Sequence, residues 1–287
     1  MKQSVVILLI LLLAACGGAG ETPPNGVEVT QTANEVLATD APVATALPSE
    51  PTRAPAETAT GAPTDAPVLA VGAAERMTIE AADGLPIQAT LLTPLTSGAD
   101  PGIILLHMLG DDRTVWGKVG LAADLVAAGY AVLVVDMRGH GETGGAQDWT
   151  LAADDLGRVW DAFAALETVD ESRTAVVGAS IGANMALRLG ADRADVGAVA
   201  LLSPGLDYRG VTTEDQLVAY GGRPLLLVAS EDDPYSADSV RALAEVAGGA
   251  TVQLYENAGH GTNMFAATPE LSVLIISWLN EQLTAGQ

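Results

Sequence analysis

Residues 176–182 read VVGASIG, which sets Ser180 in the stretch Gly178-Ala179-Ser180-Ile181-Gly182. The apolar run before it reads as a strand and the run after it as a helix. A sharp turn between the two would strain the Ser180 backbone and lift its hydroxyl above the sheet. Such a turn needs close neighbours without a Cβ, and glycine at 178 and 182 meets that need. It would also place the backbone N–H of Ile181 at a helix N-terminus, where it can stabilise an oxyanion. A serine hydroxyl is a poor nucleophile at neutral pH, so this chemistry requires a base, and the base an orienting acid. Three histidines are present for the role: His107, His140 and His260. One cysteine and three histidines leave little material for a metal site, and neither a metal nor a cofactor is expected.

The elements that must position Ser180 alternate between strand-like and helix-like runs from about residue 75 onward. Strands are expected at 77–80, 87–92, 102–106, 131–136, 174–178, 198–203, 225–230 and 251–255. The five from 102 to 230 are near-continuously apolar, as parallel strands covered on both faces must be. Helices are expected at about 115–128, 149–168, 180–192, 236–247 and 270–283, with Thr268 as N-cap and Pro269 in the first turn of the last. Asp83-Gly84 signals a hairpin between the first two strands. An antiparallel entry hairpin followed by βα repeats implies one α/β domain at 75–287, built on a doubly wound, mostly parallel eight-stranded sheet. Only about twenty residues, Pro204 to Pro224, separate the sixth and seventh strands. That leaves no room for a large cap domain and predicts an open site.

In motif and context this region resembles the α/β-hydrolase superfamily. Residues 103–110 (IILLHMLG) look like its third strand and oxyanion loop, with Met108 standing where glycine is usual, a variant similar to dienelactone-hydrolase-like proteins. The segment 136–141 (DMRGHG) matches its D-x-R-G-H-G stretch, in which Asp136 would fix the following loop through backbone amides. The resemblance implies that the second oxyanion donor is the N–H of Leu109. It gives the histidine role to His260, in Asn257-Ala258-Gly259-His260-Gly261, and leaves His107 and His140 structural. The acid is implied to lie in Ser230-Glu231-Asp232-Asp233-Pro234, directly before the proline. That selects Asp233, with Asp232 and Asp207 as the alternatives.

The first residues carry a different message. Lys2 precedes an uninterrupted apolar run of eleven residues, Val5 to Ala15. That is too short for a membrane-spanning helix, which needs about 20 residues, but it suits the core of a signal peptide at 1–15. The run ends Leu13-Ala14-Ala15-Cys16, which resembles the bacterial lipobox, so Cys16 is expected to be acylated and to anchor the chain to a membrane. More than one acyl chain is needed for stable anchoring. Residues 17–74 hold 8 prolines, 9 threonines and 14 alanines with no aromatic residue. Such a stretch cannot bury enough surface to offset its ordering entropy, so 16–74 reads as a disordered tether behind the lipid.

The formal net charge of −23 argues against nucleic-acid binding, which requires clustered Lys and Arg. It mildly favours neutral or cationic small-molecule substrates. The functional expectation is therefore an extracytoplasmic serine hydrolase, lipid-anchored in a bacterial envelope and acting on ester-like small molecules. Thioesterase, peptidase and perhydrolase chemistries use the same groups. A binding module that kept the fold without catalysis is the competing class, and a solute-binding lipoprotein is a more distant one.

Overall fold

The computed structural model describes residues 71–284. The signal peptide, Cys16 and nearly all of the tether expected from the sequence lie outside the described residues.

Eight strands form one sheet in the spatial order β1-β2-β4-β3-β5-β6-β9-β10. They are β1 (Val71–Glu80), β2 (Pro86–Pro94), β3 (Asp100–Leu106), β4 (Ala131–Val135), β5 (Val169–Ala179), β6 (Ala198–Leu202), β9 (Leu225–Ser230) and β10 (Thr251–Tyr255). β1 and β2 pair antiparallel, as do β2 and β4, and every later pairing is parallel. The eight-stranded, doubly wound architecture without a large cap is thus the one expected. The entry hairpin turns through residues 81–85 rather than a two-residue loop, with Gly84 at φ +83° and Asp83 Oδ1 accepting the Leu85 N–H.

Alternation along β3 shows why its run is continuously apolar. Ile104 and Leu106 face one core, with Phe163 of α3 (Trp149–Ala164), Leu189 of α4 (Ile181–Asp192) and Val240 of α6 (Pro234–Ala247). Ile103 and Leu105 face the other, with Trp116 of α1 (Val115–Lys118), Leu125 of α2 (Leu121–Ala127) and Trp278 of α8 (Leu271–Thr284). Each fully buried side chain of this size contributes about 1.5–3 kcal/mol relative to exposure, so two dry faces drive the sheet to be covered twice.

Three elements depart from expectation. The helix foreseen at 115–128 breaks into α1 and α2 at Gly120, which takes φ +86°. The last helix starts at Leu271. Thr268 does not cap it but donates its hydroxyl to the Met264 carbonyl at 2.6 Å, ending the short helix α7 (Met264–Ala267). The stretch 204–224 holds a two-stranded hairpin, β7 (Asp207–Tyr208) with β8 (Val211–Thr212), and the seven-residue helix α5 (Glu214–Tyr220).

Candidate active site

Ser180 occupies the one-residue turn between β5 and α4 with φ +54° and ψ −121°. A non-glycine residue there costs about 1–3 kcal/mol and persists only where its surroundings enforce it. The enforcement is visible. The Ser180 N–H donates to the Leu202 carbonyl at the end of β6, 2.8 Å away. A Cβ on Gly178 would collide with the Gly182 carbonyl, and one on Gly182 would fall 2.5 Å from the His107 carbonyl oxygen. Both glycines are therefore required by close backbone approach, and the second packs the start of α4 directly onto the end of β3.

His260 follows β10 and opens a short 3₁₀ turn, Gly261–Asn263. Its Nε2 lies 2.7 Å from Ser180 Oγ and its Nδ1 lies 2.6 Å from Asp233 Oδ2. An ionised carboxylate only accepts, so Nδ1 carries the proton and the Nε2 lone pair faces the serine O–H. Asp233 is free for this because Pro234 opens α6 and the Asp233 side chain caps no helix N–H. The side chains of His260 and Asp233 are 36% and 18% exposed, so the imidazole meets solvent on one edge.

The neighbouring acid does a different job. Asp232 accepts the Gly259 N–H at 3.1 Å and the Ser230 hydroxyl, while Ser230 Oγ accepts the Ala258 N–H at 2.7 Å. The Ser230 hydroxyl and then the Gly259 amide hold the Asp232 carboxyl below its usual range. Asp232 thus fixes the loop that presents His260 and does not touch the ring. Asp207 is exposed on the hairpin and accepts the Gly210 N–H at 2.7 Å.

His107 is fully buried, donates from Nδ1 to the Met108 carbonyl at 2.8 Å, and accepts the Met137 N–H at Nε2. Burial pushes its pKa down, so it stays neutral. His140 packs edge-on against it at 4.8 Å, with Nδ1 donating to the Arg138 carbonyl and Nε2 accepting from Gln147. Both rings are consumed by loop architecture. The buried Asp136 carboxylate likewise accepts the Arg113 and Glu142 backbone N–H groups, at 2.7 and 2.8 Å, and the Arg113 guanidinium.

Ile181 is the first residue of α4 and Leu109 lies in the turn after β3. Neither backbone N–H makes a hydrogen bond within the described residues, which leaves two donors beside the elbow. Met108 turns its sulfur toward the His260 loop, where the Thr262 hydroxyl approaches it at 3.5 Å. A Cβ on Gly261 would come within 2.9 Å of that sulfur, so the bulk at 108 is matched by a glycine at 261. Among the described residues no three His, Cys, Asp or Glu side chains group as a metal site.

A family model described as serine aminopeptidase, S33, matches residues 100–221, a span that includes Ser180 and ends before Asp233 and His260. An esterase of Pyrococcus furiosus is similar in structure at TM-score 0.63 and 18% identity, over 75% of this chain and 92% of that one. The chain has the α/β-hydrolase fold. A thermophilic carboxylesterase cloned from a metagenomic library superposes at TM-score 0.61 and 19% identity, over 74% of this chain and 90% of that one. A 2,6-dihydroxy-pseudo-oxynicotine hydrolase gives TM-score 0.63 and 19% identity, over 75% and 69%. No curated protein matches the chain in sequence.

Two residues of this hydrolase fold join the site without a sequence signal of their own. Ser203, fully buried just past β6, adopts φ +51°, and its Oγ accepts the Gly261 N–H at 2.9 Å. Tyr208 of β7 stands perpendicular to the His260 ring at 6.3 Å, with its hydroxyl 3.0 Å from Ser236 Oγ. Burial pushes the Tyr208 phenol up from its ordinary value, against the hydrogen bond with Ser236, so it stays neutral.

Proposed function

We propose that this protein is a serine hydrolase that cleaves carboxylic esters through an acyl-enzyme on Ser180. The observation that carries the proposal is the continuous chain from Ser180 Oγ through His260 to Asp233, at 2.7 and 2.6 Å. As Ser180 Oγ attacks the acyl carbon, His260 Nε2 takes its proton and Asp233 stabilises the imidazolium without itself being protonated. The tetrahedral oxyanion is received by the Leu109 and Ile181 amides, each worth about 100- to 1000-fold in rate. His260 then returns the proton to the alkoxide oxygen as the ester C–O bond breaks. Water, deprotonated by the same nitrogen, attacks the acyl-enzyme, and collapse of the second intermediate restores the Ser180 hydroxyl.

The small insertion between β6 and β9 favours small, accessible substrates, and the esterases among the structural neighbours support ester over amide bonds. The lipobox-like Leu13-Ala14-Ala15-Cys16 supports display outside the cytoplasm, with the domain tethered to a bacterial membrane through acylated Cys16. Among the described residues no helix is long and apolar enough to cross a membrane.

The test is release of nitrophenol from short-chain 4-nitrophenyl esters, run against aminoacyl 4-nitroanilides. Ester turnover that disappears in Ser180→Ala supports the proposal. Faster turnover of the anilides would favour the peptidase reading that the matched family's description suggests.

A further inference from the structure

Among the described residues three non-glycine residues have positive φ: Ser180, Ser203 and Arg209. The first carries the candidate nucleophile and the second pins the His260 loop. The third sits at the tip of the β7–β8 hairpin with φ +55°, beside Gly210 at +84°. Glycine or asparagine would take that conformation with less strain, and strain kept at one position is a pointer to use.

Arg209 is exposed and makes no hydrogen bond, ion pair or ring contact with the other described residues. Every other arginine among the described residues makes at least one. It lines a groove of about 300 Å³ together with Trp149, Met185, Arg188, Val211 and Gln216. In a chain with 36 Asp and Glu against 13 Lys and Arg, this lining holds two guanidinium groups and no carboxylate. Arg188 is partly neutralised by Asp192 at 2.6 Å, which leaves Arg209 as the guanidinium of this lining without an ionic partner among the described residues. The half-buried Trp149 gives the groove an apolar wall, with the fully buried Met185 behind it.

The groove lies at a set distance from the candidate nucleophile. Met185 and Arg188 stand on α4, roughly 8 and 12 Å along its axis from Ser180 at 1.5 Å per residue. The hairpin is bolted to the same helix, since Asn184 Nδ2 donates to the Gly205 and Val211 carbonyls at 2.9 and 2.7 Å. Tyr208 meets the His260 ring, and the next residue, Arg209, meets the groove.

We propose that this groove binds the carboxylate of an ester substrate whose scissile bond lies at Ser180, about two helical turns away. The proposal rests on the serine-hydrolase reading given above. The guanidinium would take the carboxylate in paired, charge-assisted hydrogen bonds while the connecting chain lies against Trp149. The local charge would then reverse the preference for neutral or cationic substrates that the net charge sets.

The test uses the full chain and two ester series. One consists of 4-nitrophenyl monoesters of linear diacids from succinate to sebacate, with the carboxylate on the acyl side. The other consists of butyrate esters of linear ω-hydroxy acids, with the carboxylate on the alcohol side. Each is compared with its chain-matched neutral ester. The expected result is a kcat/KM preference for the acid-bearing member of about tenfold or more in one series, the scale of one charge-assisted hydrogen bond, with an optimum at intermediate length. In Arg209→Gly that ratio falls to near unity while the melting temperature stays level or rises, because glycine relieves the turn. Turnover of neutral esters with no acid preference, or a ratio unchanged in Arg209→Gly, overturns the groove and leaves the role of Ser180 standing. No turnover of any ester overturns both.

Discussion

The backbone N–H of Gly261 donates to the hydroxyl of Ser203, 2.9 Å away, so the residue after His260 is tied to the end of β6. Ser180 is tied to the same end, through its N–H and the Leu202 carbonyl. Base and nucleophile are therefore set against each other by two successive residues of one strand terminus.

Removing the Ser203 hydroxyl should accordingly act on both stability and rate. Ser203→Ala leaves a buried amide unsatisfied, at a cost of about 1–3 kcal/mol. Chemical denaturation reads that loss. Steady-state kinetics should show kcat falling more than KM changes, since the imidazole loses its support and the substrate contacts remain.

The two adjacent acids should separate cleanly. Asp233→Asn replaces the group that selects the His260 tautomer, and kcat is expected to fall about 10⁴-fold with little change in fold. Asp232→Asn weakens the hold on Gly259 and should cost far less activity. Parallel kinetics and circular dichroism of the two variants check this, and equal losses would contradict the assignment.

Gly182→Ala should not be tolerated. Its Cβ would press on the carbonyl oxygens of Leu106 and His107, which are backbone and cannot turn aside. A loss of about 3 kcal/mol or more is expected, read as a lowered denaturation midpoint.

Acid stability should depend on Asp83. Hydrogen bonding from Arg138 holds its carboxyl down at about 2, below its ordinary 3.8. A depressed carboxylate adds stability above its unfolded pKa and loses it as pH falls through the folded one. The melting-temperature gap between the wild type and Asp83→Asn should thus be present at pH 6 and close between about pH 4 and pH 2.

Much of this was legible in the sequence because long apolar runs and the glycine-flanked serine are local signals. The eight sheet strands and the glycine-flanked turn at Ser180 belong to that class, whereas the preference for His260 over His107 and His140 rests on the family resemblance and on no local signal. β5 starts at Val169, earlier than expected, because its mostly polar first residues pair only with the first two residues of β3, before a register shift. The hairpin β7–β8 has two-residue strands, too short for any period to show. Ser203 and Tyr208 enter the site through partners 58 and 28 residues away, and no spacing rule reaches that far. The break at Gly120 leaves no sequence signal because its neighbours continue a helical apolar pattern across the left-handed glycine.

The most direct test of the central claim is reaction of the full chain with a fluorophosphonate, followed by mass mapping of the adduct. An adduct on Ser180 that is lost in His260→Ala is the predicted result. A folded protein that takes no label at Ser180, or labels as fast without His260, would contradict it.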